Sequence, residues 1–185
     1  YIYSGAFVDC QKINALVVGD KLNYISDDTF DRINHPVLLI APAAKYDDYK
    51  KGSGFSGSNH GFISEDHFTP QNRKLTVGKG DTFTLHTKPP GASNYQWQKD
   101  GTNITGAAAE DFTKTAKMTD SGTYTFRFDM DSKTGFLLDF KVNVYEQYTI
   151  TATAGENGSI SPDGDIKVKQ GDSQTFTFSP KDGYE

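Results

Sequence analysis

The sequence predicts a mostly β, multi-domain protein, and three observations support this prediction. The first fifty residues repeat with a spacing of 23 positions. Threonine, which favours strands, is almost confined to the later part of the chain, since only Thr29 of the 19 threonines precedes residue 69. Beyond residue 67, short alternating runs are separated by turn residues about every ten positions, as is typical of a β-sandwich.

The N-terminal repeat predicts a solenoid. The residues that match at 23 positions are Tyr1 and Tyr24, Ile2 and Ile25, Phe7 and Phe30, Leu16 and Leu39, and Val17 and Ile40. A period in the twenties is typical of units with one short strand and a turn, which bury their apolar side only by stacking on a neighbour. We predict strands at 16–18 and 37–40. The predicted interior consists of Ile2, Ala6, Phe7, Cys10, Ile25, Phe30 and Ile33.

Residues 2–18 follow the pattern Ile-x3-Ala-Phe-x2-Cys-x2-Ile-x2-Leu-x-Val. This pattern resembles the BspA-like leucine-rich repeats of bacterial surface proteins, and residues 40–50 resemble the Pro-to-Tyr segment that commonly closes such arrays. The resemblance implies that residues 1–50 are the C-terminal end of a longer solenoid. Cys10 falls on the usual cysteine position of the repeat, and its counterpart is Ile33, which favours a buried apolar role over a catalytic thiol.

Residues 51–66 are predicted to be a connector. Glycine and serine dominate the first part of this stretch, and ordering such a segment costs much conformational entropy.

Residues 67–146 carry three motifs in the order found in immunoglobulin-like domains. Trp97 precedes a Lys-Asp-Gly turn, Tyr124 ends an Asp-Ser-Gly-Thr-Tyr sequence, and alternating runs lie on both sides. These features resemble strands B, C, F and G of an immunoglobulin-like sandwich. The resemblance implies that Trp97 and Tyr124 are core residues, and that Thr87 and Phe126 occupy the positions of the usual disulfide. We expect Phe126 to pack on Trp97 in place of that crosslink.

Residues 147–185 are predicted to form a small β module. They contain Gly-x2-Gly-x-Ile-x-Pro at 155–162, a turn at Gly171, and Phe-x-Phe-x-Pro at 176–180. This wording resembles the divergent internalin-type B-repeat of bacterial surface proteins, and the resemblance implies that the stretch is part of a longer repeat.

Charge and composition exclude several functions. The net charge of −5 offers no basic surface for nucleic acid, and no apolar run reaches the roughly 20 residues of a membrane span. A single cysteine excludes an internal disulfide framework. We considered a metal at His60, Glu65, Asp66 and His67, and calcium at 129–135, but neither follows an established ligand pattern. We predict no catalytic residues, no cofactor and no metal, and the chain is not expected to be an enzyme.

These observations predict a non-catalytic secreted or cell-surface bacterial protein for adhesion or extracellular ligand binding. Its partner would be an extracellular protein or a glycan, recognised by the solenoid, with the later modules as a spacer and each unit having its own apolar interior. Two alternatives remain open. The chain is a glycan-capture component, with Tyr95 and the loop 88–94 as contacts, or a display stalk for an enzyme domain outside this segment.

Overall fold

The computed structural model describes residues 1–26, 28–52 and 59–184. One α-helix, α1, spans Tyr46–Gly52. The strands are β1 Ala15–Val17, β2 Leu38–Ala41, β3 Gly61–Ser64, β4 Phe68–Thr69, β5 Lys74–Gly78, β6 Thr82–Thr87, β7 Ser93–Lys99, β8 Thr102–Asn103, β9 Asp111–Thr115, β10 Gly122–Met130, β11 Lys133–Tyr145, β12 Gln147–Ala152, β13 Gly158–Ser161, β14 Gly164–Lys169 and β15 Thr177–Pro180. Short 3-10 helices cover Ala43–Lys45, Glu65–His67 and Met118–Asp120.

The N-terminal unit is a parallel sheet in which β2 lies between β1 and β3. Its register joins residues 23 positions apart, because Ala15 pairs with Leu38 and Leu38 pairs with Gly61. A parallel bridge between Ile2 and Ile25 has the same spacing. The sequence period of 23 is therefore also the spacing of the backbone pairing.

The interior of this unit agrees only in part with the sequence prediction. Ile25, Phe30 and Ile33 are buried, and Ile2 and Phe7 are half-buried. Ala6 and Cys10 are exposed, so the prediction that they fill the interior is wrong. Ile33 lies in the second repeat, whose strand β2 has a neighbouring strand on each side, whereas Cys10 lies in the first repeat, whose strand β1 is at the edge of the sheet.

The prediction of a polar connector at 51–66 also needs correction. Residues 61–64 form β3, and all four are buried. The helix α1 extends to residue 52 at the other end of the predicted connector. Residues 53–58, which contain most of its glycine and serine, lie outside the described residues. Phe62 and Ile63 continue the 23-residue spacing from Leu39 and Ile40, and this signal could have identified the third strand.

The middle unit consists of two packed sheets. One has the order β5-β11-β10-β7-β8, and the other has the order β4-β6-β9. The long strands β10 and β11 are antiparallel and are joined by a two-residue turn, Asp131–Ser132, with φ of 52° and 61°. Strand β5 runs parallel to β11 at the edge of the larger sheet. Strands β6, β7, β10 and β11 contain the runs expected for strands B, C, F and G, and β5 contains a further alternating run at 75–77. Strands β4, β8 and β9 were not predicted.

The first two units share one apolar core, so the prediction that each has its own interior is wrong for them. Leu38, Ile40 and Ile63 belong to the same buried cluster as Phe136 and the rest of the sandwich core. The alternate residues of the same strands face the other way, into a second cluster around Phe30. Both faces of the parallel sheet are therefore covered, which is why β2 is apolar along its whole length.

Close packing at this junction requires glycine at position 61. A Cβ atom there would lie 2.7 Å from Met130 Cε and 2.9 Å from Phe136 Cζ. Beside this contact, Lys133 Nζ donates a hydrogen bond to the carbonyl oxygen of His60 at 2.8 Å. The turn between β10 and β11 thus lies directly against the parallel sheet.

The C-terminal stretch forms two antiparallel ribbons, β12 with β14 and β13 with β15. Ala152 is its only buried apolar residue within the described chain. Its junction with the sandwich is polar: Lys79 Nζ lies 2.6 Å from Glu146 Oε1, and Lys167 pairs with Asp81. This junction differs from the apolar one at the other end of the sandwich.

Candidate binding surface

The four residues that the sequence singled out in the sandwich lie in its core. Trp97, Tyr124, Phe126 and Thr87 are fully buried. The rings of Trp97 and Phe126 are 4.9 Å apart between centroids, and the indole Nε1 of Trp97 donates to the carbonyl oxygen of Ala109 at 3.0 Å. Burial of the ring with its N–H satisfied leaves no open face for a ligand.

Tyr124 forms the hydrogen bond expected of a tyrosine corner. Its hydroxyl donates to the carbonyl oxygen of Asp120 at 3.2 Å, and burial raises the pKa of Tyr124 to about 12. Asp120 itself is held by Lys114 Nζ at 2.6 Å and by the backbone N–H of Lys117 at 2.9 Å. The corner is therefore part of a small polar network at the end of β9.

Replacing Tyr124 with phenylalanine is expected to lower the free energy of unfolding by about 1 kcal/mol, because a buried hydrogen bond is lost and the ring is kept. Urea unfolding followed by Trp97 fluorescence measures the change. Tyr145→Phe is a suitable control, since this tyrosine is half-buried outside the corner. An unchanged midpoint in the Tyr124→Phe protein would contradict the role of the hydroxyl.

The residues considered for glycan capture are not arranged as an open platform. The Tyr95 ring stacks on Phe126 at 5.5 Å, and its hydroxyl donates to the carbonyl oxygen of Ala92 at 2.8 Å. The ring and the hydroxyl of Tyr95 therefore stabilise the sandwich and the loop beside it. This packing disfavours the alternative that placed glycan binding at Tyr95.

The two histidines near β3 use ring nitrogens within the fold. Nδ1 of the buried His60 accepts the Val37 N–H at 3.0 Å, and Nδ1 of His67 accepts the Ser64 N–H at 3.2 Å. Burial, with a smaller effect of the Lys133 charge, lowers the pKa of His60 to about 4. Among the residues that the structure describes, no three His, Cys, Asp or Glu side chains gather where they could hold a metal ion.

The stability of the protein is expected to fall as the pH drops from about 6.5 to about 4, because the His60 pKa in the folded state lies below its ordinary value of 6.5. The unfolded chain binds a proton in this range and the folded chain does not. The full effect is on the order of 3 kcal/mol, and it is absent above pH 6.5. Urea unfolding at a series of pH values measures it.

His60→Gln should flatten this pH dependence, whatever its cost in stability at pH 7.5. His86→Gln is the matched control, because His86 is paired with Asp111 on the surface of the sandwich. If the His60→Gln protein loses as much stability between pH 6.5 and pH 4 as the unchanged protein, another group is responsible.

Among the residues that the structure describes, the exposed large apolar side chains are concentrated at the two ends of the chain. Four of them, Tyr1, Tyr3, Val17 and Tyr24, lie in the first 24 residues. The sandwich has one, Met118, and the C-terminal stretch has four, Tyr148, Ile150, Phe178 and Tyr184. Tyr1 and Tyr3 are each 68% exposed, and their rings stack at 5.8 Å. Exposed apolar groups that occur together are typical of binding surfaces.

We call Tyr1, Tyr3, Val17 and Tyr24 the N-terminal patch. The bridge between Ile2 and Ile25 brings Tyr1 and Tyr24 next to each other from neighbouring repeats. The sequence repeat identified three of these residues, but it did not indicate that they are exposed.

No helix in the described part of the chain is long and apolar enough to cross a membrane.

No protein-family model matches the sequence, and no curated protein is significantly similar to it. Solved structures with similar parts include the N-terminal four Ig domains of Dscam1 isoform 7.44, with 19% identity, 42% of this chain and 19% of that chain covered, and a TM-score of 0.36. Sidekick-1 immunoglobulin domains 1–4 are 15% identical, with 52% of this chain and 30% of that chain covered and a TM-score of 0.35. The insect immune protein hemolin is 14% identical, with 60% of this chain and 42% of that chain covered and a TM-score of 0.36.

This chain therefore spans about a fifth of the length of the Dscam1 structure that it matches. Because these TM-scores are low, the description of the middle unit depends on its own features. These are the two sheets, the parallel pairing of β5 with β11, the buried Trp97 and the hydrogen bond of Tyr124. Together they make the middle of the chain an immunoglobulin-like sandwich.

Proposed function

We propose that this chain is part of a non-catalytic extracellular protein for adhesion or ligand binding, as in secreted or surface-anchored bacterial proteins. The observation that carries the proposal is the distribution of exposed apolar side chains. The sandwich exposes only Met118 among its described large apolar residues, which suits a spacer, whereas Tyr24 in the second repeat is 48% exposed, which suits recognition by residues 1–50.

The leucine-rich repeat interpretation of residues 1–50 is part of this proposal. It is supported by the 23-residue pairing register and by the way the chain leaves β2. Pro42 follows the strand, and α1 then packs Tyr46 and Tyr49 against the second apolar cluster, the one around Phe30. The B-repeat interpretation of residues 147–185 rests on the sequence motifs alone.

The shared core changes where a ligand would bind. The sequence predicts that the solenoid is the recognition surface. Leu38, Ile40 and Ile63 on the outer face of the sheet are in contact with the sandwich core, so this face is closed at β2 and β3. We therefore assign recognition to Tyr24 and the loop 19–25.

Binding of the full chain to immobilised host matrix proteins and to a glycan array tests the proposal. A Tyr24→Ser variant should weaken the binding, because it removes an exposed ring of the second repeat. Tyr148→Ser is the matched control, since Tyr24 is 48% exposed and Tyr148 is 55% exposed at the other end of the chain. Absence of binding by the folded protein would contradict adhesion, and equal loss in both variants would contradict the assignment to Tyr24.

A further inference from the structure

We propose that a cleft beside α1 binds the side chain of a lysine or arginine of a protein partner. The cleft has a volume of about 40 Å³ and lies between α1 and the loop that precedes the bridge at Ile25. This inference rests on the proposed function and deepens it, because it names the chemistry of the partner.

The cleft is preformed by hydrogen bonds of one tyrosine. The hydroxyl of Tyr49 donates to the carbonyl oxygen of Gly19 at 2.8 Å and accepts the N–H of Leu22 at 3.1 Å. These two bonds hold the loop 19–25 against α1. A site that exists before the ligand arrives avoids the cost of ordering its walls.

The inner wall of the cleft is apolar. Ile25 and Phe62 are buried and close it from inside, and Leu22 and Tyr49 are half-buried at its sides. The aliphatic stem of a basic side chain is suited to this wall, because lysine and arginine bury their methylene groups along apolar surface while the charged end stays near water.

The opening of the cleft carries groups that suit a cation. Asp48 places a carboxylate there that is 71% exposed, and the exposed ring of Tyr24 lies beside it. A carboxylate attracts an ammonium or guanidinium group, and an aromatic face adds to that attraction. An acidic side chain would be repelled by Asp48, so the charge favours a basic ligand.

Within the chain, Asp48 is only loosely paired. Lys45 Nζ lies 3.5 Å from its carboxylate across one turn, and the side chains of Lys45 and Asp48 are 43% and 71% exposed. Exposed pairs of this kind contribute little to stability, so a partner's cation can replace Lys45 at small cost. Asn23 at the same opening forms no hydrogen bond through its side chain within the described residues, and its amide is available to the ligand's backbone.

Titration of the isotope-labelled full chain with Nα-acetyl-lysine-N-methylamide, followed by NMR, tests the cleft. We expect chemical-shift changes at the Asn23 side-chain amide and at the backbone amides of Leu22 and Tyr24, and the arginine analogue should act alike. Asp48→Asn should weaken this binding about three- to fivefold, and Lys45→Ala should strengthen it about twofold, as expected for exposed ion pairs. The matched control is Asp47→Asn, which removes the neighbouring charge and should leave the binding nearly unchanged.

Three results would overturn the proposal. The first is equal binding of the uncharged norleucine analogue, which would mean that the cleft selects only apolar shape. The second is a monosaccharide that shifts the same amides when the lysine analogue does not, and the third is an equal effect of Asp47→Asn and Asp48→Asn. This titration concerns the cleft alone, whereas the matrix-protein and glycan screen concerns adhesion, so failure of one is distinguishable from failure of the other.

Discussion

Replacing Trp97 with alanine is expected to lower the free energy of unfolding by about 3–5 kcal/mol, which is the usual cost of deleting a fully buried aromatic side chain. Trp97 lies at the centre of an aromatic group, with ring centroids at 4.9 Å from Phe126, 5.6 Å from Phe140 and 5.9 Å from Phe112. The substitution also leaves the Ala109 carbonyl without its indole donor. Urea unfolding followed by circular dichroism measures the loss.

Two further variants show how much of the loss comes from packing in the core. Trp97→Phe keeps much of the ring contact and should cost clearly less than Trp97→Ala, although it also removes the N–H donor. Tyr148→Ala, at an exposed position of β12, controls for loss of an aromatic residue without a core contact. A loss of less than about 1 kcal/mol in the Trp97→Ala protein would contradict its place at the centre of the core.

The sandwich was predictable because its sequence signals are local. The Trp97 turn, the Tyr124 corner and the alternation in β10 and β11 are three separate signals. The residues that form each signal are close together in the sequence. Strand β9 was missed because its sequence, Asp-Phe-Thr-Lys-Thr, has one large apolar residue and includes two charged residues. Its burial pattern alternates weakly since it is an edge strand, with only β6 beside it.

The errors in the N-terminal unit have a different physical origin. Composition around residues 52–58 obscured the strand that follows, although the 23-residue spacing reaches Phe62 and Ile63. The exposure of Cys10 could not be predicted from the repeat pattern, because a residue of one repeat is buried only when a neighbouring repeat covers it. Sequence periodicity gives the direction of a side chain, and burial depends on what lies next to it.

The junction could have been recognised in part. The run Val37–Ala41 is apolar at every position, and a strand with apolar residues on both faces is covered on both. What covers the outer face depends on contacts over nearly a hundred residues, such as that between Leu38 and the core around Phe136. No local pattern identifies such a partner. The cleft at Asp48 was missed for the same reason, since its walls come from residues 22–25, from α1 and from Phe62 of β3.

Replacing Phe136 with alanine is expected to cost about 3–5 kcal/mol and to destabilise both the sandwich and the parallel sheet. The fully buried ring of Phe136 stacks on Phe128 at 5.6 Å and lies against Gly61 of β3. Because the two units share one core, a cavity there removes contacts from both. Amide hydrogen exchange should therefore show lower protection in β10 and at the Gly61 amide, which donates to the Val37 carbonyl at 3.0 Å.

Phe83→Ala provides the comparison that isolates the junction. Phe83 is buried in the other sheet against Phe112 and Tyr124, so its removal opens a cavity of the same chemistry away from the parallel sheet. Both variants should weaken β10, but the Gly61 amide should lose more protection in the Phe136→Ala protein, because only that variant removes direct cover from β3. If the Gly61 amide is affected no more by Phe136→Ala than by Phe83→Ala, Phe136 stabilises the sandwich alone, and the two units do not depend on the contact between them.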